Sequence, residues 1–110
     1  MSQPDLAAML KQAQQLQEKL KQMQEEAAAK TVDAKSGGGM VKVTVDGALQ
    51  LRRLEIDPAL LASNDKAMLE DLIVVAVNEG IRQAQNLVAD EMGKLAGPLA
   101  GFKIPGFGGD

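Results

Sequence analysis

The stretch LAAMLKQAQQLQEKLKQMQEEAAAK, Leu6 to Lys30, sets Leu6, Met9, Ala13, Leu16, Leu20, Met23 and Ala27 at three-four spacing on a background of Gln, Glu and Lys. This spacing predicts one helix whose apolar seam needs a partner. Read as heptads, Leu6, Ala13, Leu20 and Ala27 take position a, and Met9, Leu16 and Met23 take position d. The alanines allow close approach. From Pro4 to Lys30, at a rise of about 1.5 Å per residue, the helix would be roughly 40 Å long. A compact chain of this size has a radius of gyration of only about 13 Å. The helix is therefore expected to project as an arm, and two arms on a symmetric dimer would form a clamp. Its start is well signalled, with Ser2 as a candidate cap, Pro4 suited to the first turn and Asp5 in capping-box spacing after Ser2.

Beyond Lys30 the period changes. Thr31 and Val32 are β-branched, and Gly37, Gly38 and Gly39 follow, a pattern that predicts a short strand and a turn. Met40 to Val45 alternates, with Val41, Val43 and Val45 on one face and Met40, Lys42 and Thr44 on the other. Asp46-Gly47 is a strong hairpin signal. On the return strand Leu49 and Leu51 share one parity while Leu54 and Ile56 share the other. This conflict predicts a bulge or kink near Arg52 and Arg53, or a strand covered partly on both faces in a dimer. Asp57-Pro58 stops the sheet.

After an expected loop from Ala59 to Ser63, Asn64 or Asp65 can cap a second long helix reaching about Leu95. Met68, Leu69, Leu72, Ile73 and Ala76 form the face expected to cover the sheet. Val77, Ile81, Ala84, Val88, Met92 and Leu95 keep the spacing and can pair with the first helix, within the chain or across a dimer. Gly80 costs roughly 1 kcal/mol against Ala in a helix centre, which points to close packing. From Gly97 onward Gly and Pro recur, and a flexible tail is expected over 97–110. The fold class is α+β: a long N-terminal helix, an antiparallel sheet of about three strands and a second long helix, in one domain over 1–96.

Composition narrows the function. With 110 residues the core is small, and oligomerisation would supply missing burial. The only aromatics, Phe102 and Phe107, lie in the tail, so no platform exists for stacking single-stranded bases. Neither Cys nor His occurs. This removes thiolate nucleophiles, imidazole catalysis, disulfides and zinc-finger sites. Ser2, Ser36 and Ser63 have no base to activate them, so the chain reads as a non-enzyme without cofactor or metal. The N-terminus lacks a signal pattern, and the apolar run Leu72 to Val77 is too short for a bilayer, giving a cytoplasmic expectation with no membrane partner.

Net charge is −3, unevenly placed. Residues 1–36 hold five Lys against five acids, whereas residues 58–96 hold Lys66, Arg82 and Lys94 against Asp65, Glu70, Asp71, Glu79, Asp90 and Glu91. The glycine triplet lacks a following Gly-Lys-Ser/Thr and reads as a turn, not a phosphate loop. Glu70-Asp71 and Asp90-Glu91 point about 100° apart on a helix and cannot converge on one ion. The first helix is different. Lys11, Lys19 and Lys21 lie between Leu6 and Gln24 with only Glu18 opposing, amid Gln12, Gln14, Gln15, Gln17, Gln22 and Gln24. Such side chains suit phosphates and base edges, and Arg52 with Arg53 forms a second basic pair. Charge pattern alone favours the blander reading, a solubilised coiled-coil surface, over a nucleic-acid contact.

The segments KQAQQLQEKLKQMQEE (Lys11 to Glu26), VKVTVDG (Val41 to Gly47), RRLEIDP (Arg52 to Pro58), LEDLIVVAVNEGIRQAQ (Leu69 to Gln85) and GFKIPGF (Gly101 to Phe107) closely resemble the YbaB/EbfC family of bacterial nucleoid-associated proteins. The likeness covers most of the chain, in order and at the right spacing. It implies a homodimer whose helical arms form tweezers. It also implies binding of double-stranded DNA with a change in its conformation, and a role in nucleoid organisation or gene regulation. On that basis Lys11, Gln15, Lys19, Lys21, Arg52 and Arg53 are the expected DNA contacts. The rival reading is a coiled-coil adaptor for proteins of DNA metabolism, with weak DNA contact.

Overall fold

The computed structural model describes residues 5–99. Helix α1 (Leu6–Ala29) leads into a three-stranded antiparallel sheet, β1 (Thr31–Ser36), β2 (Val41–Asp46) and β3 (Leu51–Ile56), in spatial order β1-β2-β3. A short helix α2 (Pro58–Ala62) and the 34-residue α3 (Lys66–Leu99) complete it. This is the α+β arrangement expected.

Asp5 caps α1, its carboxylate accepting the Ala8 N–H at 3.2 Å. Ser2 and Pro4, the earlier candidates for that start, lie outside the described residues. A single residue, Lys30, joins α1 to β1. The turn from β1 to β2 is a one-turn 3-10 segment, Gly37–Gly39, with φ of 59°, 68° and 97°. Left-handed backbone at three successive positions explains the glycine triplet, since each is costly for a residue with a Cβ.

Val41, Val43 and Val45 are buried on one face of β2. Burying each is worth about 1.5–3 kcal/mol. α3 crosses this face, with Ala76 and Ala84 fully buried in the same cluster. Gly80 lies at the crossing. A Cβ there would stand 2.7 Å from Val45 Cγ2 and 3.0 Å from Val43 Cγ2, which is the close packing the helix-centre glycine implied. Ser36 Oγ donates to the Leu72 carbonyl at 2.6 Å, tying β1 to the same helix.

The parity conflict on β3 is resolved by a bulge. Thr44 pairs with Arg53 and Val45 with Leu51, which leaves Arg52 as the extra residue. Leu51, Leu54 and Ile56 therefore stand opposite Val45, Val43 and Val41 and share their face. α3 packs mainly over β1 and β2, so Leu51 and Leu54 remain 46% and 41% exposed.

Two expectations change. The span Ala59–Ser63, read as loop, is largely the helix Pro58–Ala62. Asp57 accepts the Ala59 N–H at 2.8 Å and Pro58 opens the first turn, so the residues that end the sheet also start a helix. α3 is capped by Asp65 through the Met68 N–H at 3.0 Å and continues to Leu99, past Leu95 and into the first residues of the expected tail. The remainder of that tail lies outside the described residues.

Candidate nucleic-acid interface

α1 is a lever on a narrow base. Its C-terminal end packs against α3 and the hairpin: Ala27 is 2% exposed, and Leu20 and Met23 are half-buried. Toward the other end the seam opens, with Leu16 44%, Met9 56% and Leu6 70% exposed. The molecule measures 80 × 31 × 16 Å with a radius of gyration of 21.8 Å, far above the 13 Å or so of a compact chain. The expected projecting arm is present.

All three arm lysines are exposed, and among the described residues none of them forms an ion pair. Lys11, Gln15 and Lys19 follow i, i+4, i+8 spacing and form one ridge. Lys21 lies about 160° around the helix from Lys19 at 100° per residue, on the other flank. A rod presenting cations on both flanks can meet two phosphate strands, whereas a single ridge meets one.

The arginines are differently placed. Arg52 Nε donates to Asp46 Oδ2 at 2.6 Å, and that carboxylate is nearly inaccessible, its side chain 1% exposed. Asp46 Oδ1 also accepts the Ala48 N–H at 2.9 Å and the Gln50 N–H at 3.0 Å. These bonds, the Gln50 N–H foremost and the Arg52 side chain after it, hold the Asp46 carboxyl below the usual aspartate range despite the opposing effect of burial. Arg53 pairs with Thr44 on the sheet face turned away from Val41, Val43 and Val45, 70% exposed, with Nε 2.6 Å from Glu55.

Arg53 thus stands apart from the arm. It lines an open concavity of about 1060 Å³ with Lys35, Lys42 and Thr44 of the sheet and Arg82 of α3, in which no arm residue takes part. Arg82 is held by Glu79 at 2.6 Å. Lys35, Lys42 and Arg82 were not singled out from sequence. The only available signal was the alternation that puts Lys42 and Thr44 opposite the buried valines. Among the described residues no carboxylate cluster is arranged to hold a metal ion, and no helix is long and apolar enough to cross a membrane.

Comparison with known proteins adds a separate finding. The model of the YbaB/EbfC DNA-binding family matches residues 1–99. A nucleoid-associated protein of Thermoanaerobacter sp. (strain X514) is 49% identical over 98 residues, covering 89% of this chain and 86% of that protein. One from Syntrophobacter fumaroxidans is 48% identical over 99 residues, covering 88% and 90%. Among solved structures, an uncharacterized protein from Helicobacter pylori superposes with a TM-score of 0.56 at 29% identity, covering 79% of this chain and 96% of that one.

Proposed function

The chain belongs to the YbaB/EbfC DNA-binding family, and on that premise we propose that it works as a homodimer gripping double-stranded DNA between its α1 arms and altering DNA conformation. It is a nucleoid-associated DNA-binding protein; the family match over residues 1–99 carries that reading. Its role is binding, not catalysis, and its proposed location is the nucleoid.

The finer parts rest on chemistry. Duplex affinity comes chiefly from cations that displace condensed counterions. In a chain of net charge −3, Lys11, Lys19 and Lys21, which form no ion pair among the described residues, are best suited to that task from their place on a projecting rod. Gln15, between Lys11 and Lys19 on the ridge, can donate to phosphate or reach a base edge. Arg53 is assigned an auxiliary contact from the sheet. Support for the dimer is the apolar surface left uncovered, Leu6, Met9 and Leu16 on the arm and Leu51 and Leu54 on β3.

The test is duplex binding across a salt series by the wild type and by a variant with Lys11, Lys19 and Lys21 replaced by Gln, dimerisation being followed in parallel. Each lost phosphate contact lowers the slope of log affinity against log salt by about 0.9, and a dimer loses contacts in pairs. Unchanged affinity and slope in a dimeric variant would remove α1 as the DNA-facing surface.

A further inference from the structure

We propose that Asp46, acting through Arg52 and the β2–β3 hairpin, is a positioning residue that fixes the direction of the arm and hence the gap into which DNA must fit. The inference rests on the reading of α1 as the DNA-gripping arm. Its structural half stands independently.

The joint is built from few parts. Lys30 alone separates α1 from β1 and has extended backbone, φ −71° and ψ 152°. A single linking residue would leave the arm free to swing were it not held from the side. The hairpin tip holds it: the Gly47 N–H donates to the Lys30 carbonyl at 2.9 Å, and the Lys30 N–H donates to the Ala27 carbonyl at 3.3 Å. Gly47 comes so close that a Cβ would stand 2.0 Å from the Ala27 carbonyl oxygen. On the other side Lys30 Nζ reaches Glu91 of α3 at 2.6 Å.

The tip in turn depends on Asp46. The Leu49 N–H donates to the Asp46 carbonyl at 2.9 Å, and Leu49 takes φ 64°, a left-handed conformation disfavoured for leucine. Without the Asp46 carboxylate the loop would lose its hold on Ala48, Gln50 and Arg52 together. Asp46 also pairs with Thr31, the first strand residue after the joint. One carboxylate therefore shapes the loop that clamps the arm.

The lever magnifies any slack. Over 24 residues, a helix of about 36 Å turned by 10° moves its tip by about 6 Å. The minor groove is about 6 Å wide, so such slack is enough to miss a phosphate row. A rigid joint spends less binding free energy on ordering the arm.

This account gives Arg52 a structural task in place of a phosphate contact, and the two make opposite forecasts. The absence of Cys allows clean labelling, so spin labels at Ala8→Cys and Glu55→Cys, magnetically diluted with unlabelled protein, report the arm-to-sheet distance within one chain. Asp46→Ala and Arg52→Gln should broaden that distribution and weaken duplex binding about fivefold or more, leaving the salt slope unchanged. Glu91→Gln, which cuts only the separate tie from Lys30 to α3 and leaves the hairpin intact, should broaden it less, and Arg52→Gln serves if Asp46→Ala fails to fold. An unchanged distance distribution in Arg52→Gln overturns the proposal. A fall of about 0.9 in slope per copy in Arg52→Gln overturns it too, since Arg52 would then be a phosphate contact. Broadened variants that bind like the wild type, while the triple lysine variant loses binding, refute the positioning role alone. If the lysine variant also binds normally, it is the arm reading that fails.

Discussion

Lys30 Nζ lies 2.6 Å from Glu91 Oε1, so the residue joining arm to sheet is tied to α3 sixty-one positions further along the chain. Glu91 also accepts from Lys94 at 3.1 Å. Lys30 first and Lys94 second hold its carboxyl below the usual glutamate range, as Arg82 and then Gln83 do for Glu79. With Asp46, this makes three carboxylates with depressed folded-state values. Each binds protons more readily when unfolded, so its stabilisation is complete above the unfolded value and is lost as pH falls through the folded one. The thermal midpoint should therefore be flat near neutrality and decline below about pH 5. Asp46→Asn and Glu91→Gln should each flatten that decline. A midpoint insensitive to acid down to pH 3 would contradict the assignment.

Gly80 and Gly47 should both resist substitution, for different reasons. Gly80→Ala gains about 1 kcal/mol of helix propensity but forces a methyl group to 2.7 Å from Val45, whose branched side chain turns with difficulty. A net loss of about 1–2 kcal/mol is expected in urea unfolding. Gly47→Ala meets a backbone carbonyl, which cannot move aside without shifting α1. Its loss should be larger, about 3 kcal/mol or more. A Gly47→Ala variant as stable as the wild type would mean that the hairpin tip does not hold the arm.

The arm was legible in the sequence because seven apolar positions keep one helical period, and the β3 bulge because Leu51 and Leu54 cannot share a face otherwise. The short helix was not, since Asp57-Pro58 signals a strand end and a helix start equally well. In the candidate site, the ridge of Lys11, Gln15 and Lys19 follows from spacing alone. The partners of Arg52 and Arg53 depend on strand register and on the bulge, which leaves Arg52 as the extra residue and pairs Arg53 with Thr44. Lys30 gave least warning: its contacts come from Gly47 and Glu91, and no local pattern encodes them.

Truncation after Leu99 should leave the fold intact. The described core is closed by α3 residues up to Ala84, and among the described residues the last ion pair of the helix is Lys94 with Glu91. Cooperative thermal unfolding with a midpoint within a few degrees of the full chain is expected. Loss of cooperativity would assign residues 100–110 a structural task.

The dimer is tested most sharply at Leu16 and Leu54, exposed by 44% and 41% in the single chain. A leucine only partly covered in the isolated protomer contributes modestly there, and its replacement by lysine should lower protomer stability by no more than about 1–2 kcal/mol. In a dimer that buries the arm seam or the open edge of the sheet, the same lysine would be a desolvated charge without a partner. Leu16→Lys and Leu54→Lys should therefore convert the protein to a folded monomer at micromolar concentration. Sedimentation then gives the mass and circular dichroism the helix content. Because dimerisation stabilises by mass action, the wild-type midpoint should rise with protein concentration, whereas that of the variants should not. A wild type already monomeric at these concentrations, or two variants that dimerise normally, would remove the clamp and leave each arm to meet DNA alone.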